Sequence, residues 1–207
     1  MSAAAGAPPG APAGRIAVLA SGGGTNLQAL LDAGLPVRLV VSDKPAAGAL
    51  GRARAAGIPA EVVRPRDYAD RTAFDAALAQ RCRGFDLVCL AGFMRLLGPA
   101  FVEPFAGRCL NVHPALLPAF PGLDAPAQAI AHGVKVTGCT VHLVDTGCDT
   151  GPIVLQEAVP VAEDDTAETL HERIRAAEHR LYPRAARLLL DGRLRVEGRR
   201  VRILETS

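Results

Sequence analysis

Asn111 and His113 stand two residues apart in the run Cys109-Leu110-Asn111-Val112-His113, which Pro114 closes. Residues i and i+2 of a β-strand point to the same face, so an amide and an imidazole project together from one strand end. An amide N–H can donate to an oxygen that is gaining negative charge. A protonated imidazole can stabilise that oxygen or deliver a proton to it. A lone strand histidine is more often a satisfied core residue, and it is the pairing with Asn111 that argues for chemistry here. Asp145 and Asp149 flank Thr146-Gly147-Cys148, just after a strand that holds His142. Clusters of aspartate and glycine are usually plain turns. A carboxylate that reached His113, however, would hold its ring and favour imidazolium.

Ser21-Gly22-Gly23-Gly24-Thr25-Asn26 follows the apolar run Ile16-Ala17-Val18-Leu19-Ala20 and precedes a helical stretch ending at Leu31. Glycines let backbone N–H groups turn inward, and a helix N-terminus adds partial positive charge, so this loop suits a phosphate monoester. It lacks the Gly-Lys-Ser/Thr ending of a P-loop, and Leu27 stands where a dinucleotide fingerprint needs its third glycine. A tight turn without a ligand is the competing reading. The other histidines look ordinary: His132 precedes Gly133 at a helix end, while His171 and His179 lie among arginines and glutamates and are expected to be solvated. No zinc spacing is present, and no metal is expected.

These groups need a scaffold, and the chain supplies alternating strands and helices. Strands are expected at 16–20, 37–41, 61–63, 87–91 and 109–113, with helices at 26–31, 49–56 and 71–83 between them. Leu87-Val88-Cys89-Leu90-Ala91 is apolar throughout, as in a parallel strand covered on both faces. Asn111 and His113 then sit near a carboxyl end, where open α/β sheets place their ligands. Pro114, Pro118, Pro121 and Pro126 punctuate what reads as one long functional loop. Strands at 140–144 and 153–159 form a hairpin-like pair. A long helix over 166–190 has Leu170, Ile174, Leu181 and Leu188 on one period, a cap from Thr166 with Glu168 and Thr169, and a kink or division at Pro183. A small hairpin around Gly198 ends the chain. The fold class is α/β: a single domain over 15–207 with a doubly wound, mostly parallel sheet.

The 207 residues suffice for a sizeable core, and 49% apolar with 21% charged residues is ordinary for a globular protein. A net charge of +2 with interspersed signs gives no basic stripe, which argues against a nucleic-acid partner. Five cysteines without a C-x-x-C read as buried thiols in a reducing compartment. Residues 1–14 are Ala, Pro, Gly, Ser and Met only, from which a disordered tail rather than a signal peptide is expected. No apolar run is long enough for a membrane span, so a cytoplasmic protein is expected.

Gly92-Phe93-Met94-Arg95-Leu96-Leu97, Asn111-Val112-His113-Pro114-Ala115-Leu116-Leu117-Pro118, Gly138-Cys139-Thr140-Val141-His142 and Asp149-Thr150-Gly151-Pro152-Ile153 together resemble the folate-dependent formyltransferases. The loop from Ser21 to Gln28 and Glu178-His179-Arg180-Leu181-Tyr182-Pro183 resemble the branch acting on glycinamide ribonucleotide. The likeness covers Arg15 to about Ile203. Methionyl-tRNA formyltransferases carry an added C-terminal domain and formyltetrahydrofolate deformylases an added N-terminal one, and 207 residues leave room for neither. One departure is Asp124-Ala125-Pro126-Ala127, where family members often show a histidine-bearing segment.

The resemblance implies a Rossmann-like formyltransferase fold, with a phosphate-binding half over about 15–113 and a folate-binding, catalytic half over about 114–207. It implies transfer of a formyl group from the co-substrate 10-formyltetrahydrofolate to the amine of 5-phosphoribosylglycinamide in purine biosynthesis, without a metal. Asn111, His113 and Asp149 take the catalytic positions. Gly24, Thr25, Asn26, Arg175, Ala176, Ala177 and Glu178 match ribonucleotide positions. Arg71, Met94, Arg95, Leu96, Leu97 and Asn111, with Asp145, Thr146, Gly147, Cys148 and Asp149, match the folate pocket. Without the resemblance, Arg175 and Glu178 would read as an i,i+3 surface ion pair. Competing readings are a hydrolase that deformylates the same folate, a nucleotide-binding oxidoreductase, and a non-catalytic binding module. Monomer and homodimer both remain open.

Overall fold

A computed structural model describes residues 14–205, so the tail expected over 1–14 lies outside the described residues but for Gly14. Nine strands form one sheet: β1 (Ile16–Leu19), β2 (Val37–Ser42), β3 (Ala60–Val62), β4 (Leu87–Leu90), β5 (Cys109–His113), β6 (Val136–Leu143), β7 (Ile153–Pro160), β8 (Leu194–Glu197) and β9 (Arg200–Ile203). The spatial order is β3-β2-β1-β4-β5-β6-β7-β9-β8. The five strands from β3 to β5 run parallel, and β6 reverses direction against both β5 and β7. Chain order runs outward to β3 on one side of β1 and outward to β5 on the other. The switch point therefore lies between β1 and β4, where such sheets bind their ligands.

Successive side chains of a strand alternate between faces, and here both faces are covered. Ile16, Val18 and Cys89 face a cluster closed by Leu27 and Leu30 of α1 (Thr25–Asp32) and by Ile174 and Leu181 of α6 (Ala167–Leu190). Ala17, Leu19 and Val88 face another, closed by Phe74 and Leu78 of α3 (Arg71–Arg81) and by Phe101 of α4 (Pro99–Val102). Burying each of these larger side chains contributes roughly 1.5–3 kcal/mol. The two remaining helices are α2 (Gly48–Ala55) and α5 (Ala125–Ala131).

Three expectations need correction. Pro183 was expected to kink or divide the long helix, yet α6 continues unbroken through it. Tyr182, Ala185 and Ala186 are buried on either side, and the Tyr182 hydroxyl lies 3.0 Å from the carbonyl oxygens of both Leu90 and Leu110. That packing outweighs one missing helical hydrogen bond. The long loop after Pro114 is interrupted by α5, with Pro126 in its first turn, where a missing N–H costs nothing. Strand β6 begins at Val136, four residues before the expected start. Gly138 hides it, because glycine is a poor strand former. A Cβ there would lie 2.0 Å from the Glu157 carbonyl oxygen of β7, so only glycine fits. Helix α4 and the 3₁₀ turn at Glu103–Phe105 have no counterpart in the sequence reading. The Thr166 cap is as expected: Thr166 and Thr169 exchange side-chain-to-backbone bonds in a capping box.

Candidate active site

The loops after β1 and β4 meet at the switch point. The Ser21 N–H donates to the Gly92 carbonyl (3.0 Å), and the Met94 N–H donates to the Ser21 hydroxyl (3.0 Å). Around them opens a cavity of about 730 Å³. Its floor is Leu90, Asn111 and His113, one end is Gly22 to Asn26 with Arg175 and Glu178, and the other includes Met94 to Leu97 with Val144 and Asp145. Met94, Leu96 and Leu123 leave an apolar rim, 59%, 50% and 70% exposed.

Asp149 ties the polar centre together. Its carboxylate accepts the Gly122 N–H at 2.8 Å and lies 3.3 Å from His113 Nδ1, 3.5 Å from His142 Nε2 and 3.4 Å from Asn111 Nδ2. Burial pushes the Asp149 pKa up. The contact with His142, the Gly122 amide and the nearby His113 outweigh burial and bring it down to about 2. The carboxylate is therefore ionised at any physiological pH. Asp149 sits at φ 54, and Asp145 holds that turn by accepting from the Gly147 N–H (3.1 Å) and the Thr150 hydroxyl (2.7 Å).

His113 is 4% exposed, and its Nε2 lies 2.8 Å from the carbonyl oxygen of Phe120. A carbonyl only accepts, so Nε2 carries a proton. Nδ1 faces a carboxylate, so the doubly protonated ring satisfies both partners. The segment between them is braced from below. The buried Thr140 hydroxyl donates to the Ala115 carbonyl (2.6 Å) and accepts from the Leu117 N–H (3.0 Å).

At the glycine end, Asn26 Nδ2 donates to Glu178 at 2.9 Å, and Asn26 Oδ1 is buried without a partner among the described residues. Glu178 is 4% exposed, and burial raises its pKa against the pull of Asn26 and Arg175. A surface ion pair between Arg175 and Glu178 is thus the wrong reading: Glu178 is buried and pairs with Asn26. At the other end, Arg71 lines an adjoining hollow that shares Met94, Arg95 and Leu96 with the main cavity. Arg71 donates to the Leu96 carbonyl (2.7 Å), and the buried Asp75 accepts the Gly98 N–H (2.7 Å), so one face of α3 holds the loop at two points. Arg95 pairs with the buried Asp43 at 2.7 Å.

The structure brings Asn111, His113, Asp149, Gly24, Thr25, Asn26, Arg175, Glu178, Asp145, Gly147 and Cys148 to one cavity. It does not bring four others there, and of these Arg71 lines only the adjoining hollow. Ala176 is exposed elsewhere and Ala177 is buried in the core, as their places on α6 between Arg175 and Glu178 dictate. Thr146 is exposed at the tip of its turn. His171 and His179 are half-buried rather than solvated, and His171 lines the cavity. Burial, then the charge of Arg175, lowers the pKa of both. The reading from sequence gave His142 no role. Its signal was its parity with Thr140 on a strand, which becomes informative only once β6 is known to pair Asn111 with His142. Phe120 and Gly122 contribute backbone atoms, which no side-chain pattern reveals. Among the described residues no group of three or more His, Cys, Asp or Glu is placed to hold a metal ion, and no helix is long and apolar enough to cross a membrane.

A family model described as "Formyl transferase" matches residues 14–186. The phosphoribosylglycinamide formyltransferase of Mycobacterium tuberculosis is 51% identical over 203 residues, covering 93% of this chain and 92% of that protein. The trifunctional purine biosynthetic protein adenosine-3 of Drosophila melanogaster is 48% identical over 188 residues, and the match spans only 14% of its length. Among solved structures, glycinamide ribonucleotide transformylase 1 from Symbiobacterium toebii superposes with a TM-score of 0.91 at 57% identity, covering 93% of this chain and 94% of that one.

Proposed function

The chain belongs to the formyl transferase family, and from that premise we propose that it is a phosphoribosylglycinamide formyltransferase of purine biosynthesis. It moves a formyl group from 10-formyltetrahydrofolate to the amine of 5-phosphoribosylglycinamide. The observation that carries this reading is the convergence of Asn111, His113 and Asp149 on a cavity that also takes in a glycine loop. The ribonucleotide phosphate lies on Gly24, Thr25 and Asn26, with Arg175 and Glu178 near the sugar, while the folate occupies the end walled by Met94 to Leu97 and the 145–149 turn. Residues 15–113 thus supply the phosphate loop together with Met94 to Leu97, Asn111 and His113, and residues 114–207 supply the 145–149 turn with Asp149, Arg175 and Glu178. The protein works in the cytoplasm on small molecules.

The amine attacks the formyl carbon, forming the new C–N bond and placing negative charge on the former carbonyl oxygen. Asn111 has two amide N–H bonds. Its 3.4 Å contact to Asp149 is the long one, so that N–H is free to turn to the developing oxyanion. His113, with Asp149 behind it, holds a fixed positive charge beside the same oxygen. As the bond to the folate nitrogen breaks, the proton lost by the amine reaches that nitrogen, with the ionised Asp149 as the acceptor along the way through water. No metal is required. The test follows 10-formyltetrahydrofolate consumption spectroscopically, with and without phosphoribosylglycinamide. Consumption that depends on the ribonucleotide supports transfer, and consumption that ignores it identifies a deformylase instead.

A further inference from the structure

The glycine loop does not aim its own amides. The Gly22 carbonyl accepts the Ala49 N–H of α2 at 3.1 Å, and the Gly23 carbonyl accepts from Nε of Arg52, one turn further along α2, at 2.8 Å. In a trans peptide the C=O of one residue and the N–H of the next point in opposite directions. Fixing the Gly22 oxygen on α2 therefore turns the Gly23 N–H away from that helix, and fixing the Gly23 oxygen does the same for the Gly24 N–H. The open side is the cavity that this loop lines. Among the described residues neither N–H donates to a protein acceptor. No side-chain layer separates loop from helix: Gly24 has φ 74, and a Cβ on it would lie 2.7 Å from the Ala49 Cα.

Arg52 is itself held. Its Nη1 donates to Gln28 of α1 at 3.1 Å, and the Gln28 amide donates to Asp32 at 2.8 Å. One guanidinium thus spans α2, the loop and α1, and it does so from outside the cavity, which it does not line. We propose that Arg52 is a positioning residue for phosphate recognition, setting the Gly23–Gly24 peptide so that its N–H faces the substrate phosphate. This rests on the reading that the glycine loop takes that phosphate.

The test compares wild type, Arg52→Met and Arg52→Lys, using phosphoribosylglycinamide and its dephosphorylated riboside as alternative acceptors. A charge-assisted hydrogen bond that orients a binding group is worth roughly tenfold or more in affinity. Arg52→Met should therefore raise the ribonucleotide KM by about that factor. The folate KM, kcat and riboside kcat/KM should change far less, and the melting temperature should show a folded protein. Arg52→Lys keeps the charge but not the fork, so it should fall between the other two. Equal losses with ribonucleotide and riboside would overturn the proposal, as would a lysine variant indistinguishable from wild type. A wild-type enzyme that prefers the ribonucleotide, with the preference intact in Arg52→Met, sinks the positioning role alone. A wild-type enzyme indifferent to the phosphate sinks the reading of the loop as well.

Discussion

The side-chain amide nitrogen of Asn111 lies 3.1 Å from Nε2 of His142, directly across the antiparallel pair of β5 and β6. His142 Nδ1 is 2.9 Å from the Leu143 carbonyl, which only accepts, so the proton of the neutral ring sits on Nδ1 and Nε2 accepts from Asn111. Turned the other way, the amide would set its oxygen against the Asp149 carboxylate. His142 thereby fixes which end of Asn111 faces the cavity, and His142→Ala should release it. A misplacement of about 1 Å can cost roughly 10²-fold in rate. The expected result is a kcat loss of about that order with both KM values within a few-fold. A variant with unchanged kcat would mean that Asn111 is oriented by Asp149 alone.

Asp149 and His113 should act as one unit. Asp149→Asn removes the charge behind the imidazolium, and that charge matters mainly in the transition state. The expected loss is roughly 10²–10³ in kcat, the range for removing one oxyanion stabiliser, with a smaller change in folate KM. His113→Ala alone should cost nearly as much as the double variant. Fully additive losses would show that Asp149 serves a partner other than His113.

Asp149 and Glu178 should pull stability in opposite directions with pH. Asp149 titrates near 2 when folded against 3.8 ordinarily. It stabilises the fold above its unfolded value, and that share, roughly 2 kcal/mol, is lost as pH falls from about 4 to about 2. Glu178 is raised by burial, so its contribution is full below its ordinary range and declines as pH rises through the folded value. Glu178→Gln keeps an oxygen for Asn26 and removes the costly charge. Denaturant midpoints across pH 3 to 9 should show this variant losing less stability on the alkaline side than wild type. A parallel pair of curves would refute the assignment.

Gly24→Ala forces a side chain into left-handed backbone against α2. The strain alone costs roughly 1–2 kcal/mol, enough to lower the melting temperature of a chain this size by about 2–8 °C. The ribonucleotide KM should rise far more than the folate KM. Equal rises would reduce the loop to a structural turn.

Much of the fold and of the site is legible in the sequence. Apolar runs such as Leu87-Val88-Cys89-Leu90 announce buried parallel strands, and the spacing of Asn111 and His113 places both side chains on one face of β5. The alternation of strands and helices fixes where the β1 loop must open. Legibility fails where a rule about local preference is overruled by a neighbour distant in sequence. Gly138 conceals the start of β6 because the need for it comes from the β7 backbone, and Pro183 suggests a break that the packing of Tyr182 and Ala185 prevents. His142 gains its meaning from a strand pairing, and Phe120 and Gly122 act through atoms that every residue possesses. Ala176 and Ala177 show the converse error, in which a contiguous segment is credited with a role that a helix can give only to the residues on one side.

The final hairpin is fastened to the rest of the sheet at a single register position, Ile153 opposite Arg200, and β8 beyond it is the outermost strand. Its residues are mostly exposed, whereas Leu110 and Val141 of β5 and β6 lie in the core. A unit joined by so little should detach without disturbing its neighbours. Amide deuteration should therefore sweep through 194–203 long before it reaches β5, with opening of the hairpin leaving the catalytic strands closed. The chain then carries two stabilities rather than one, and only the larger of them protects the chemistry.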